Sequence, residues 1–244
     1  MKKWMVLIPA VVFMFINQTA AQEGLQTIAV ALADYLTAGR AVVADKQLLI
    51  NDPSKGDKGF TPQVYEELVS EEFKKRSGID IKSLSPNDDF GRAIIAIHES
   101  AMEVVTEAQS QINEPGKEFK GFIPAVFGRK VGDKLYRKSG ITVKQTSLKF
   151  RGEYNKPDDF EVAVLNKLEG SGKGNTYYEE TKFGNMRVLR YVVPLYIEKS
   201  CLPCHGDPAG EKDITGKIKE GYKEGDMRGA ISIIAPIKCV LGNN

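Results

Sequence analysis

The segment INDPSKGDKGFTP (50–62) returns as INEPGKEFKGFIP (112–124), and this repetition decides how the first half of the chain is interpreted. Residues 42–82 align without a gap onto residues 104–144, and 17 of the 41 aligned positions are identical. Each copy has a helical pattern, then a turn rich in proline and glycine, then a second helical pattern. Two copies are too few for a solenoid, which needs at least about three. We therefore predict two stacked helical hairpins.

The repeat also fixes the predicted helix bounds. Helical spacing predicts two helices in each copy, over residues 25–50, 62–77, 88–112 and 124–139. Pro62 suits the first turn of its helix, where an amide proton has no partner within the helix. Gly78 and Gly140 suit helix C-caps, because glycine adopts the left-handed conformation without steric cost.

After Gly140 the apolar residues change from a helical period to alternation. ITVKQTSLKF (141–150) alternates and is rich in β-branched residues, which predicts a strand. A helical segment follows up to Glu169. Three further strands are predicted, over TYYEETKF (176–183), MRVLRYVVPLYI (186–197) and RGAISIIAPI (228–237), with a hairpin turn at Gly184-Asn185. The second half is predicted to be a small antiparallel sheet.

The N-terminus has the pattern of a secretory signal peptide. Lys2 and Lys3 precede the apolar run Trp4–Ile16, and small residues follow up to Ala21, after which we expect cleavage. The run is shorter than the roughly 20 residues that span a bilayer, and an uncleaved membrane anchor is the alternative. We expect a periplasmic protein that is not an integral membrane protein after cleavage.

Composition excludes one class of partner. The chain has 34 Lys and Arg residues against 32 Asp and Glu, and loss of Lys2 and Lys3 would make the mature chain neutral. Such a chain lacks the basic field that holds nucleic acid, so no nucleic-acid partner is expected.

Cys201, Cys204 and His205 form a Cys-x-x-Cys-His motif between the last two predicted strands. Each thiol can add to one vinyl group of protohaem, and the spacing presents both sulfurs to one porphyrin edge. His205 then falls beneath the iron as the proximal ligand. Haem attachment of this type occurs outside the cytoplasmic membrane, so motif and signal peptide support each other. We predict one covalent haem c lodged against the sheet.

The motif has three other interpretations. A thioredoxin-type dithiol would follow a strand of a parallel sheet, which the flanking pattern does not show. A zinc site needs four ligands, and the chain offers only His98 and Cys239 besides the motif. A structural disulfide would leave His205 without a role. Cys239 itself is interpreted as a small buried residue.

The sixth iron ligand decides whether the haem only transfers electrons or also binds a small gas. His98, in AIIAIHESAMEVV (93–105), is the candidate distal ligand. The repeat aligns it with Leu36, which favours a core position instead. Three methionines are further candidates, with a core position as the alternative for Met102: Met102, Met186 and Met227. Without a distal ligand, the distal side would be lined by Phe122, Val126 and Phe127.

The haem propionates need hydrogen-bond donors. Arg228 and Arg151 are the first candidates, because a guanidinium pairs with a carboxylate through two parallel hydrogen bonds. Lys149 and Tyr222 come next. Ordinary surface charges are the alternative for these residues. Four residues are expected to pack on the ring, unless they are simply sheet core: Tyr191, Pro194, Tyr196 and Leu202.

Four segments resemble a bacterial family of exported, single-haem c-type proteins with a PAS-like domain. They are FIPAVFGRKVGDKLYRKSGITVKQTSLKFR (122–151), NKPDDFE (155–161), RYVVPLYIEKSCLPCHGDPAGEKD (190–213) and GYKEGDMRGAISIIAPI (221–237). The resemblance implies a PAS-like α+β fold, His205 as the proximal ligand, and redox sensing, ligand sensing or electron transfer. Gly152 and Glu153 depart from the family pattern, and helix 124–139 lacks the distal cysteine that some relatives supply.

We therefore expect an α+β protein in which two duplicated helical hairpins precede a PAS-like antiparallel sheet carrying haem c. The predicted parts are a signal peptide (1–21), two hairpins (22–86 and 87–140) and the haem domain (141–244). A redox partner protein or a membrane receptor is expected, with a small gas as a further candidate ligand. The alternative class is a small haem enzyme, a peroxidase or an NO-transforming cytochrome, with His98 as the acid–base group.

Overall fold

The computed structural model describes the backbone of residues 10–237 and the side chains of residues 23–237. The helices are α1 Ala10–Asp45, α2 Gln47–Ile50, α3 Pro62–Ser77, α4 Asp89–Glu107, α5 Gln109–Ile112, α6 Pro124–Ser139, α7 Asp159–Glu169 and α8 Leu202–His205. The strands are β1 Thr142–Thr146, β2 Tyr177–Phe183, β3 Met186–Tyr196 and β4 Met227–Pro236. The α+β class is as predicted, and Cys239 lies outside the described residues.

The two copies of the repeat form their helices in the same way. α3 and α6 have the predicted bounds, and each ends at a glycine in the left-handed conformation, with φ of 74° at Gly78 and 71° at Gly140. The Thr61 side chain caps α3 by accepting an amide hydrogen bond from its first turn. The two longer predicted helices are each interrupted, at Lys46 and at Ala108. The repeat aligns these two positions, so the interruption is a shared feature.

The two copies contact each other reciprocally. Oδ1 of Asn51 accepts a hydrogen bond from the Lys120 amide at 3.0 Å, and Oδ1 of Asn113 accepts one from the Lys58 amide at 3.0 Å. Both lysine side chains are buried and donate to backbone carbonyls of their own loops. Two glutamine amides likewise donate to the other copy, Gln47 to the Phe122 carbonyl and Gln109 to the Phe60 carbonyl. The hairpins are therefore related by an approximate two-fold axis.

The apolar part of α1 is a core helix. It packs against α3, α4 and α6 and buries Leu25, Ile28, Leu32 and Leu36. The segment Glu23–Asp45 has the length and composition to cross a membrane, with a mean hydropathy of 1.4, yet 61% of its most apolar window is buried inside the protein. This packing accounts for its hydropathy. The signal peptide and its cleavage after Ala21 stay predictions.

The sheet is fully antiparallel in the order β1-β4-β3-β2. The predicted hairpin at Gly184-Asn185 joins β2 to β3. The strand predicted over 141–150 is too long, because β1 ends at Thr146. Ser147 leaves the ladder there, and its hydroxyl donates instead to the Arg228 carbonyl at 2.7 Å.

The two faces of the sheet bury different partners. One face shares a continuous core with the helical bundle, through Val143, Leu189, Tyr191, Ile231 and Ile233. The other face packs against α7, where Val192 and Ala230 contact Val164, Leu165 and Leu168. The helical half and the sheet are thus in direct apolar contact, and the predicted domain limits at 86 and 140 stay predictions.

Buried charges fix α7 on the sheet. The Asp158 side chain caps α7 by accepting the Glu161 amide at 2.8 Å, and Glu161 accepts the Asp158 amide at 3.0 Å in return. Arg190, on β3, pairs with Asp158 at 2.9 Å. Glu161 is fully buried and pairs with Lys144 at 2.8 Å. Each of these buried charges has an opposite charge beside it, as burial requires.

Candidate functional site

Residues 197–226 connect β3 to β4 and form what we call the motif loop. A 3-10 turn over Lys199–Cys201 leads directly into α8, and Pro203 lies in the first turn of that helix. Cys201 and Cys204 lie three residues apart on this turn, which places both sulfurs on one side. Both side chains are half-buried, and neither sulfur forms a disulfide in the described part of the chain. The two thiols are therefore presented together.

The ring of His205 is oriented by a carboxylate. Its Nδ1 lies 2.9 Å from Oε2 of Glu220, and its backbone carbonyl accepts the Tyr222 amide at 2.9 Å. A carboxylate at Nδ1 selects the tautomer in which Nδ1 carries the proton and Nε2 has the free lone pair. Arg228 Nε is 3.3 Å from the same Nδ1 and cannot donate to it in that tautomer. Nε2 is thus the nitrogen left for a metal.

Burial and hydrogen bonding shift the pKa of His205, and likewise that of Glu220, in opposite directions. Burial lowers the pKa of His205, although the hydrogen bond with Glu220 works to raise it. Burial works to raise the pKa of Glu220, but the hydrogen bonds from Arg151 and His205 outweigh it, and the pKa lies below its ordinary value. The site therefore holds a neutral imidazole beside an ionised carboxylate near neutral pH.

Arg151 braces the motif loop. Its guanidinium pairs with Glu220 at 2.6 Å and with Asp213 at 2.6 Å, and it donates to the Cys204 carbonyl at 2.7 Å and the Ile218 carbonyl at 2.8 Å. Protein groups therefore engage all of its nitrogens. Arg151 is thus placed to hold both halves of the motif loop in position, and its pairing with a propionate stays a prediction.

Arg228, the other predicted propionate donor, lies at the start of β4 beside the motif. It donates to the Ser147 hydroxyl at 2.5 Å and lies 3.4 Å from Glu220. Its guanidinium also lies 5.7 Å from the centre of the Tyr222 ring, and Lys149 lies 5.2 Å from the same ring. The structure thus brings Arg228, Tyr222 and Lys149 together next to His205.

The residues predicted to pack on a ring are placed on different sides of the sheet. Tyr191 belongs to the core shared with the helices, whereas the Tyr196 hydroxyl donates to the Gly172 carbonyl at 3.3 Å. Pro194 is buried and Leu202 is half-buried. Tyr196 also lines an open cleft of about 470 Å³ between α7 and the motif loop, together with Lys149, Glu220, Tyr222 and Met227. The structure does not bring these four residues onto one surface.

His98 is not brought to the motif loop. Its Nδ1 lies 2.9 Å from the Tyr35 hydroxyl on α1, and its Nε2 lies 3.6 Å from Glu66 on α3. Burial lowers the pKa of His98, while Glu66 works to raise it. These contacts lie within the helical bundle, as the alignment with Leu36 favoured. Phe122 and Phe127 are also buried in the bundle, with ring centres 6.2 Å apart, and Val126 is half-buried.

Three residues of the site were missed by the sequence analysis. Glu220 and Asp213 have no motif of their own, and only the folded loop brings them to Arg151 and His205. Arg40 stands in an otherwise apolar stretch of α1, and burial lowers its pKa. The charges that oppose this shift are those of Cys201 and Glu198. Its position as a single cation in a core helix is the signal that could have identified it.

The fold and the site define an α+β protein that presents a Cys-x-x-Cys-His turn beside a four-stranded antiparallel sheet. The chain belongs to the Tll0287-like family, since the family model (Tll0287) matches residues 17–236. The family resemblance found in the sequence is thereby confirmed. A solved structure, the crystal structure of the cyanobacterial heme-protein Tll0287, is 20% identical with a TM-score of 0.41, over 59% of this chain and 91% of that chain. No curated protein matches the chain.

Proposed function

We propose that this chain is an exported c-type haem protein, with one haem bonded to Cys201 and Cys204 and ligated by His205, that exchanges single electrons with a partner. The observation that carries the proposal is the geometry of the motif turn. Two half-buried thiols share one side of the turn, and Glu220 holds His205 by the ring nitrogen that iron does not use. Tll0287 is described as a heme-protein; for this chain, haem is proposed on its own residues.

The residues around the motif fit a haem. The iron would supply the one-electron chemistry. Glu220 fixes the His205 tautomer and makes the imidazole a stronger donor, which favours the oxidised state. Arg151 holds the Cys204 carbonyl and the Asp213 and Glu220 carboxylates, so that the thiols and His205 keep their relative positions. Arg228 keeps positive charge beside the imidazole.

The remaining parts of the proposal concern fold type, location and partner. A motif loop between the last two strands of the antiparallel sheet supports the PAS-like assignment. Lys2, Lys3 and the apolar run Trp4–Ile16 support export to the periplasm. A redox protein or a membrane receptor is the proposed partner, because a single haem must pass its electron or its signal to another protein.

Mass spectrometry of the purified full-length product tests the central claim. We expect the mature chain to carry the mass of one haem, to start at Gln22 and to keep its Soret absorption after acid–acetone extraction. The Cys201→Ser/Cys204→Ser variant should lose both signals, and His205→Ala should keep the mass but change the spectrum. A wild-type chain with only its polypeptide mass contradicts the proposal.

The optical spectrum with and without CO separates electron transfer from gas binding and from the enzyme alternative. A low-spin iron that does not react with CO supports electron transfer alone. A shifted Soret band under CO would show an open sixth position and would support a gas-binding role. Peroxide turnover by the haem-loaded protein would instead support the enzyme class.

A further inference from the structure

Arg40 is a half-buried cation whose Nε atom is buried without a hydrogen-bond partner among the described residues. No ion pair in that part of the chain joins it to a carboxylate. It stands on α1 between Gly39 and Ala41, within the helix that supplies more buried core residues than any other described helix. A buried donor without a partner costs free energy unless another group completes it. This position therefore calls for an anion.

The surroundings of Arg40 place it at the motif loop. A Cβ atom on Gly128 of α6 would lie 3.3 Å from Cδ of Arg40 and 2.7 Å from Nε2 of Gln145. The absence of a side chain at Gly128 thus makes room for Arg40 between α1, α6 and β1. Gln145 on β1 lies two residues before Ser147, whose hydroxyl accepts a hydrogen bond from Arg228. Arg40 therefore lies on the sheet side of the bundle, toward the residues beside the motif loop. Burial lowers its pKa, while the charges of Cys201 and Glu198 work to raise it and the charge of Arg228 works to lower it further.

The three arginines of the site differ in whether they have a buried hydrogen-bond donor without a partner. Arg151 is engaged by two carboxylates and two carbonyls. Arg228 is engaged by Ser147 and approaches Glu220. Arg40 alone among them has a buried nitrogen without a partner. Arg151 engages the Asp213 and Glu220 carboxylates, and Glu198, whose charge acts on Arg40, forms no ion pair with it in the described part of the chain.

We infer that Arg40 is the residue that binds a haem propionate at this site, and that Gly128 leaves room for its side chain. The inference rests on the proposed function, because the propionate comes with the haem. Carboxylate and guanidinium pair through two parallel hydrogen bonds, which would satisfy the unused donors of Arg40. Arg151 is then a positioning residue for the loop, and Arg228 is second to Arg40 as a propionate donor.

The first experiment measures the midpoint potential of the haem-loaded protein. Arg40→Gln removes the positive charge that offsets a propionate, which stabilises the oxidised haem. With unit charges about 10 Å apart and an effective dielectric constant of ~20, the equilibrium constant for reduction should fall roughly tenfold. Arg40→Lys keeps the charge and should show a smaller decrease. Arg129→Gln is the matched control, because its Nε is also buried without a partner but its guanidinium lies over the Tyr154 ring, at 5.0 Å.

The second experiment separates a propionate from a general charge effect. Arg40→Gln is made in the haem-loaded protein and in the haem-free Cys201→Ser/Cys204→Ser protein, and urea unfolding is measured for each. Arg40→Gln should raise the unfolding equilibrium constant about tenfold with haem present, and it should lower it or leave it unchanged without haem, where the cation lacks its partner. A Gly128→Ala change should reproduce the loss of potential in part, because its Cβ would crowd Gln145 Nε2 at 2.7 Å and Arg40 Cδ at 3.3 Å.

Each contrary result has a defined meaning. Equal shifts of the potential in Arg40→Gln and Arg129→Gln, or equal destabilisation with and without haem, would overturn the propionate assignment. An unchanged potential together with weaker binding of azide or cyanide to the oxidised protein would also overturn it, and would assign Arg40 to an added anion. If the haem-free protein does not fold, the comparison of potentials among Arg40→Gln, Arg40→Lys and Arg129→Gln decides alone. Loss of haem mass from the wild type would refute the proposed function itself, which is a separate outcome.

Discussion

The two copies of the repeat fold alike, but they face different surroundings. Gly128 on α6 contacts Arg40 of α1 on the side of the bundle that the sheet covers. The repeat aligns Gly128 with Glu66 on α3, which is half-exposed and contacts His98 of α4. One backbone arrangement thus supports a covered face near the motif loop and a solvent-facing charged face. The comparison shows that the shared turns determine where the helices begin and end in both copies. The size and charge of the side chains on each helix then determine what that helix contacts.

Contact with the sheet explains why α6 differs from α3 in residue size. α6 has Gly128 and Gly132 where α3 has Glu66 and Ser70. A Cβ atom on Gly132 would lie only 2.2 Å from the Val143 carbonyl oxygen on β1. α6 can therefore approach the backbone of the sheet, and small residues are the requirement for that approach.

The largest effect is expected at this approach. Gly132→Ala should destabilise the protein by about 2–3 kcal/mol, because the steric clash with β1 backbone exceeds the gain of ~1 kcal/mol in helix propensity. The aligned substitution Ser70→Ala should change stability by less than about 0.5 kcal/mol. Urea unfolding followed by circular dichroism measures both. Equal losses of stability in the two variants would contradict the conclusion that contact with β1 requires glycine on α6.

A smaller and symmetric effect is expected where the copies contact each other. Asn51→Ala and Asn113→Ala each remove one hydrogen bond to a backbone amide of the other copy, and each should cost about 1–2 kcal/mol. The two losses should agree within about 0.5 kcal/mol, since the environments are equivalent. Chemical denaturation of both variants under one set of conditions checks this. A large difference between the two losses of stability would show that the two equivalent hydrogen bonds do not contribute equally to the free energy of unfolding.

The sequence was informative where local residues determine the structure. Proline and glycine define the ends of α3 and α6, and the repeat predicted both pairs of helices from one pattern. Alternation predicted all four strands and the hairpin at Gly184-Asn185. The predicted end of β1 was wrong, because the Ser147 hydroxyl donates a hydrogen bond to the carbonyl of Arg228, which lies 81 residues further along the chain. No local pattern encodes a contact at that separation.

The candidate site likewise contains residues that the sequence identifies and residues that only the fold brings together. Cys201, Cys204 and His205 are adjacent in sequence, so their spacing alone identified them. Glu220 reaches His205 only through the fold of the motif loop, and Arg40 reaches the site only because α1 packs against both α6 and the sheet. The same packing explains why His98 was a candidate from its residue type but lies elsewhere, between α1 and α3. Residue type predicts the chemistry, while packing decides which residues share a site.

The smallest effect is expected at His98, where the first copy has Leu36. Burial lowers the pKa of His98 below its ordinary 6.5, with Glu66 and Glu99 opposing the shift. The unfolded chain therefore binds the proton more readily, and stability falls as the pH drops below 6.5 toward the folded-state pKa. His98→Leu in the haem-free Cys201→Ser/Cys204→Ser protein should reduce the loss of stability between pH 7.5 and pH 5 by up to ~1 kcal/mol. Urea unfolding at both pH values measures the difference.

The haem-loaded form supplies the control for this prediction. Because His98 contacts Tyr35 and Glu66 within the bundle, His98→Leu should leave the Soret band and the midpoint potential of the haem unchanged. Leu36→Ala, at the aligned position, should change stability through lost packing but should not change its pH dependence. A shift of the Soret band in His98→Leu would mean that His98 reaches the iron. It would contradict the conclusion that only the sheet-covered face of the bundle contributes to the haem site.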